Sequence, residues 1–336
     1  MRWLAIVALV VTSFTHADQD RYSGPIIDVH THAEPLSRYG PHPMGLCTDT
    51  KTLPTWDPQV PYGAVWGGWL ANPPCEDPVW APETDEEIMR QSIAAMQKLN
   101  IIGILSGPAE LSALWMSEAP DRFIAGREFR IGRDTPTVAE LRQEYESGKF
   151  AVLAEVTNQY NGIEPDDPRM AEYWALAAEL DFPVGIHIGT GPPGVIYLDS
   201  DQYRARMHSP LALEEVLVAN PGLRVYVMHA GYPMLDDTLA LLYAHPHVYV
   251  GVGVLVWGLP PTEFHRYLQT LVEAGYGKRV MFGSDQMVWP GVMERAVERI
   301  QSADYLDHEQ KADILFNNAA RFLRLDPAQF STEGNQ

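Results

Sequence analysis

Two histidines, His30 and His32, close the run Ile26-Ile27-Asp28-Val29-His30-Thr31-His32 near the start of the chain. On a β-strand, residues two apart point to the same face, so both imidazoles would project together from the strand's end. Imidazole is the commonest protein ligand for a divalent transition metal. Three more apolar runs stop at a residue that can serve the same purpose: Ala151-Val152-Leu153-Ala154-Glu155, Val184-Gly185-Ile186-His187 and Val225-Tyr226-Val227-Met228-His229. A fifth, Val280-Met281-Phe282-Gly283-Ser284-Asp285, ends in an acid. One His-x-His pair is weak evidence, but six ligand-type residues at strand ends point to a metal centre. A mixed histidine and carboxylate set suits zinc, with manganese or iron as alternatives, and one or two ions per chain. Such an ion lowers the pKa of a coordinated water from about 15.7 towards about 7, which makes it a nucleophile near neutrality.

These residues must be positioned by strands, and the rest of the chain supplies an alternation of strands and helices. The first strand spans about 26–30, and further apolar runs lie at 101–105, from 122, and at 248–252. Thr84 and Glu87 form a capping-box pattern that opens a helix ending near Asn100. Other helices are expected at 137–147, from Asp167-Pro168 to Leu180, at 210–219, 235–244 and 262–274. Near-continuous Val/Ile runs fit parallel strands buried on both faces. About eight strands, each followed by a helix, give an α/β fold of the (β/α)8 TIM-barrel type. A doubly wound sheet would carry a glycine-rich turn after its first strand. Here that turn is His-Thr-His, and only a closed barrel gathers five strand ends around one pocket.

Together, His-x-His on strand one, Glu155 on strand four, His187 on five, His229 on six and Asp285 on eight resemble the amidohydrolase superfamily. The phrases Ile27-Asp28-Val29-His30-Thr31-His32, Val184-Gly185-Ile186-His187-Ile188-Gly189, Val227-Met228-His229-Ala230-Gly231 and Phe282-Gly283-Ser284-Asp285 are closest to its second family. The ending Asn317-Asn318-Ala319-Ala320-Arg321-Phe322-Leu323 is similar to that family's terminal helix. The resemblance implies a metal-dependent enzyme with Asp285 as proton shuttle and His229 as a ligand or a polariser of the scissile carbonyl. It departs from many two-metal relatives at strand four, where Glu155 replaces a carbamylated lysine. If Glu155 bridges two ions, His30, His32 and Asp285 hold one, and His187 with His229 the other. If it does not, a single ion rests on His30, His32, His187 and Asp285.

The implied activity is hydrolysis of an amide, lactone or other carboxylic ester. The alternative is non-oxidative decarboxylation, and the least favoured reading is a binding protein that has lost turnover. For the substrate, Arg204 and Arg206, near His208, are candidates to hold a carboxylate. Tyr160, Trp257 and Trp289 follow strand ends, where pocket walls are built.

Composition sets the frame for these readings. The chain has 336 residues, 46% of them hydrophobic, enough for a large core. Its net charge of -20 argues against nucleic acid and anionic membranes as partners and leaves a small-molecule substrate. Assembly into a homo-oligomer is left open. Met1 to Val11 joins one positive charge to a short apolar core, and Thr15-His16-Ala17 offers a cleavage site, so residues 1–17 read as a signal peptide. Residues 18–336 are then one barrel domain, exported to the periplasm or secreted. The segment 34–82, rich in Pro, Gly and Trp, reads as a lid-like insertion, and an oxidising compartment would permit a disulfide between Cys47 and Cys75 within it.

Overall fold

The computed structural model describes residues 21–133 and 135–330. The segment 1–17, expected to be a signal peptide, lies outside them. No described helix is long and apolar enough to cross a membrane.

Ten strands are described: β1 Ile26–His32, β2 Gly45–Leu46, β3 Val79–Trp80, β4 Ile101–Ser106, β5 Phe123–Ala125, β6 Leu153–Val156, β7 Val184–His187, β8 Val225–Met228, β9 Tyr249–Gly251 and β10 Val280–Met281. Apart from β2 and β3, they run parallel in the orders β1-β4-β5 and β6-β7-β8-β9-β10. Parallel bridges Gly126–Val152 and Phe129–Val156 join the first set to the second. The ring closes where Val29 N donates to Phe282 O (3.0 Å) and Asp285 N to His30 O (2.8 Å). The result is the expected (β/α)8 barrel, although its last strand is shorter than the 280–285 run.

The period of two along each strand sorts side chains into two layers. Ile27, Val29, Ile104, Val152, Ala154, Tyr226, Met228 and Met281 form one buried cluster. Ile26, Ile101, Leu105, Leu153, Val184 and Val225 belong to another that includes helix residues such as Ile88, Leu141 and Leu176. Phe316 and Phe322 complete the first cluster, with the Phe322 ring 5.5 Å from Tyr226 and 5.0 Å from Tyr249. The helix Asn318–Leu323 therefore plugs the end at which β8 and β9 begin.

Local signals set the crossover helices. Thr84 accepts from Glu87 N and opens the helix Asp85–Leu99, which Asn100 ends in a left-handed conformation (φ 52°). The capping box is only half formed there, since the Glu87 carboxylate binds Glu83 N instead. The full reciprocal box occurs at Thr137 and Glu140, ahead of the helix Val138–Glu146.

Segment 34–82 contains regular structure that its composition did not reveal. β2 and β3 pair antiparallel, and a helix, Tyr62–Ala71, lies between them. Cys47 and Cys75 form a disulfide with Cα atoms 5.9 Å apart. The segment also reaches the loop after β7: Tyr62 Oη donates to Pro193 O (2.5 Å), and the Trp56 and Tyr197 rings lie 4.6 Å apart. A bridge across 28 residues restricts the unfolded chain, by about 3–4 kcal/mol in the loop-entropy account. Replacing both cysteines with serine should lower the unfolding free energy by about that amount. Urea titration checks this, and an unchanged midpoint would show that the unfolded segment is already constrained.

Candidate metal centre

All six ligand-type residues converge, and all are buried: His30, His32, Glu155, His187, His229 and Asp285. Glu155 sits among the imidazoles. Its Oε1 lies 2.7 Å from His187 Nδ1, 3.5 Å from His229 Nε2 and 3.6 Å from His30 Nε2. Its Oε2 lies 3.7 Å from His32 Nε2. Asp285 Oδ1 is 3.1 Å from His32 Nε2 and 3.5 Å from His30 Nε2. His229 Nε2 and His187 Nδ1 approach to 2.9 Å. Three overlapping groups each bring their ligand atoms within 4.8 Å of one another: His30, His32 and Glu155; Glu155, His187 and His229; and His30, His229 and Asp285.

The backbone at these strand ends is held by side chains that the sequence reading did not single out. Asp28 Oδ1 accepts from His30 N (3.0 Å) and Ser284 N (2.9 Å), tying the first ligand strand to the last. The Gln286 amide clamps His32, accepting from its N (3.0 Å) and donating to its O (2.6 Å). Gln159 does the same for Gly189. His229 and Asp285 take left-handed φ values of 63° and 51°. Such conformations are costly away from glycine and concentrate at functional sites.

The electrostatics are those of a group that lacks a conventional counter-ion. Burial opposes ionisation of both carboxylates, but the histidines outweigh it. His30 and His32 draw Asp285 down to about 2, and His30 and His187 hold Glu155 well below the usual carboxylate range. Burial works against charge on His32 as well, yet the Asp285 hydrogen bond raises it to about 9. Burial and the neighbouring His229 push His187 down to about 4. Asp28, behind the cluster, is raised to about 7 by burial, against the pull of its Ser284 hydrogen bonds.

Among the described residues, no lysine or arginine pairs with Glu155 or Asp285. Both ring nitrogens of His30, and His187 Nε2, are buried without a hydrogen-bond partner. Orphaned imidazole nitrogens facing paired carboxylates are costly unless a cation joins them. The donor set fits a divalent ion.

The model of the amidohydrolase family matches residues 27–325. This chain belongs to that family. No curated protein matches the amidohydrolase sequence. Solved structures share its fold at low identity. An uncharacterised TIM-barrel protein from Bordetella bronchiseptica is 18% identical, covering 73% of this chain and 86% of its own (TM-score 0.54). A probable 2-pyrone-4,6-dicarboxylic acid hydrolase from Acinetobacter baumannii, with citric acid bound, is 14% identical over 89% of this chain and 99% of its own (TM-score 0.54). A 5-carboxyvanillate decarboxylase from Novosphingobium aromaticivorans, complexed with manganese and 4-hydroxy-3-methoxy-5-nitrobenzoic acid, is 16% identical over 91% and 99% (TM-score 0.55).

The expected substrate residues divide. Tyr160 is at the cluster, its ring 4.7 Å from that of His187. Trp257 and Trp289 are buried and bind backbone through their indole nitrogens: Trp257 Nε1 donates to Ser284 O (2.6 Å), and Trp289 Nε1 to Met44 O (3.1 Å). Arg204 and Arg206 are not brought to the cluster. Both are exposed; Arg204 donates to the carbonyls of Asp201 and Tyr203, and Arg206 lies 3.9 Å from Glu164. The segment turns as a 3-10 helix at Ala205–His208, which faces Tyr203, Met207 and His208 inward and the arginines outward.

His208 thereby joins a buried network: its Nε2 lies 2.7 Å from Tyr203 Oη, which is 2.6 Å from Gly189 O and accepts from Gly191 N (3.0 Å). Burial lowers His208 to about 4, below its ordinary value of 6.5. Between these values the unfolded chain binds a proton that the folded chain refuses. The stability from a neutral His208 is therefore complete above pH about 6.5 and lost as pH falls towards 4, by up to about 1.4 kcal/mol per pH unit. His208→Gln, which keeps a partner for Tyr203, should flatten this acid limb in urea unfolding from pH 8 to 4. An unchanged slope would contradict the assignment.

Proposed function

We propose that this amidohydrolase is a metal-dependent hydrolase that cleaves an amide, lactone or other carboxylic ester. The observation that carries the reading is the carboxylate pair: Glu155 offers an oxygen to each of two ligand groups, while Asp285 lies against His30 and His32 at the closing strand. In this reading His30, His32 and Asp285 would hold one divalent ion and His187 with His229 the other, with Glu155 as the carboxylate shared between the two groups. The ions supply Lewis acidity, which makes water acidic enough to attack at neutral pH and polarises the carbonyl. Asp285 accepts a proton from the attacking water and passes it to the leaving oxygen or nitrogen as the acyl bond breaks. The charge of His30 and the hydrogen bond from His32 outweigh burial and favour its ionised form, the form required to begin. Burial excludes bulk water and strengthens these interactions.

Non-oxidative decarboxylation is the second reading, supported by the manganese-bound decarboxylase that shares the fold. Solvent labelling separates the two. Protein purified without chelators is assayed for metal per chain, then given esters, lactones, amides and aromatic acids in 18O-labelled, deuterated water. Hydrolysis places one 18O in the acid product. Decarboxylation releases CO2 and leaves deuterium on the carbon that carried it. Two metal equivalents with 18O incorporation support the hydrolase, and one equivalent with CO2 release supports the decarboxylase. Protein that takes up no divalent metal would remove both readings. The disulfide is consistent with export to the periplasm or the medium, which we propose as the place of action.

A further inference from the structure

Arg130 stands one ring away from the cluster, in a setting unlike that of the neighbouring Arg38. Its guanidinium carbon lies 5.2 Å from the centroid of the Tyr160 ring, and that ring is 4.7 Å from the His187 ring. Two successive contacts thus place the guanidinium no more than about 10 Å from the His187 imidazole. Arg130 Nε is committed to Thr157 Oγ1 (2.8 Å), two residues beyond Glu155, which fixes the plane of the fork. Among the described residues, neither terminal nitrogen has a hydrogen-bond partner, and no carboxylate lies within ion-pair distance. Arg38 differs: it is paired with Glu34 and lies 3.9 Å from Glu128. Burial and the nearby charge of Arg38 lower the pKa of Arg130 from its usual value, against the pull of the Glu128 carboxylate. The Tyr160 ring itself lies against the metal cluster, beside the His187 imidazole.

We propose that Arg130, stacked on Tyr160, is a carboxylate subsite: the substrate is an organic acid whose free carboxylate docks there, about the width of a six-membered ring from its reacting carbon. This rests on the metal-centre reading for the position of the reacting end. A guanidinium fork held at Nε presents two parallel N–H donors, the geometry that a carboxylate accepts bidentately. The aromatic face beneath it suits a flat or unsaturated spacer between the two ends. Selection for such a substrate follows from the site and not from the chain's strongly negative overall charge.

Two probes test the subsite by binding alone. Benzohydroxamate chelates a metal centre and ends in a bare ring; 4-carboxybenzohydroxamate adds a carboxylate at the far side. Metal-loaded protein should bind the carboxylated probe at least about tenfold more tightly by calorimetry, the scale of one charge-assisted contact. Arg130→Gln should erase that difference and leave benzohydroxamate affinity unchanged, whereas Arg130→Lys should keep part of it. Equal affinity of the two probes for the unaltered protein overturns the subsite and leaves the metal reading standing. If neither hydroxamate binds, the metal reading fails, and the subsite loses its second anchor and falls with it. An Arg130→Gln protein that weakens both probes equally assigns Arg130 to support of Thr157 and overturns the proposal.

Discussion

Asp285→Asn should reduce kcat by at least about a thousandfold on any substrate that the unaltered enzyme turns over, within the range measured for loss of a general acid–base group. The exchange keeps the backbone bond from residue 285 to His30 O and the side chain's size, so barrel closure is retained. What is lost is the charge beside His30 and His32, and with it the ability to take a proton from water. Kinetics, circular dichroism and metal analysis on the same preparation check this. Retention of more than a tenth of the native rate, with metal bound and the fold intact, would remove Asp285 from the reaction.

The second large effect belongs to Glu155. A single carboxylate that contacts His32 through one oxygen and His187 and His229 through the other can serve two ions only while it is charged. Glu155→Gln keeps the shape and removes the charge. Metal content should fall from about two equivalents to one, with the remaining ion held at least about a hundredfold more weakly, since substitutions even outside the ligand set cost up to that much. Elemental analysis and competition with a metal-binding dye measure both quantities. Two equivalents in both proteins would mean that Glu155 does not bridge. One equivalent in both would make the site mononuclear and favour the decarboxylase reading.

The ligand set was legible because each member ends an apolar run, and a barrel's geometry converts the end of a strand into a place at one pocket. His30, His32, Glu155, His187, His229 and Asp285 needed no more than that pattern, and they come together as expected. Residues away from strand ends carried no such code. Arg204 and Arg206 lie in the long loop after a candidate ligand strand, yet the 3-10 turn at Ala205–His208 decides which of its side chains face inward, and those are Met207 and His208. Arg130 escaped notice because it follows a three-residue strand that ends in no ligand. Gln286 and Gln159 look like ordinary polar residues in sequence; their clamping role exists only once two strand ends are adjacent. The 34–82 segment was read from composition as a connection, because a pair of two-residue strands and a helix without a polar face leave no periodic signal.

The barrel seam has a consequence for the order of assembly. His30 and Asp285 are neighbours across the seam between the first and last strands, where Val29 binds Phe282 and Asp285 binds His30 through the backbone, and Asp28 straddles the same seam. A growing chain therefore possesses most of its donors long before it possesses a site, and its first and last ligands meet only when nearly all of the sequence has been made. Ion capture belongs to the end of folding. On the proposed ligand assignment, the ion would then be chosen by the pool available where the barrel shuts, and its binding would stabilise that seam.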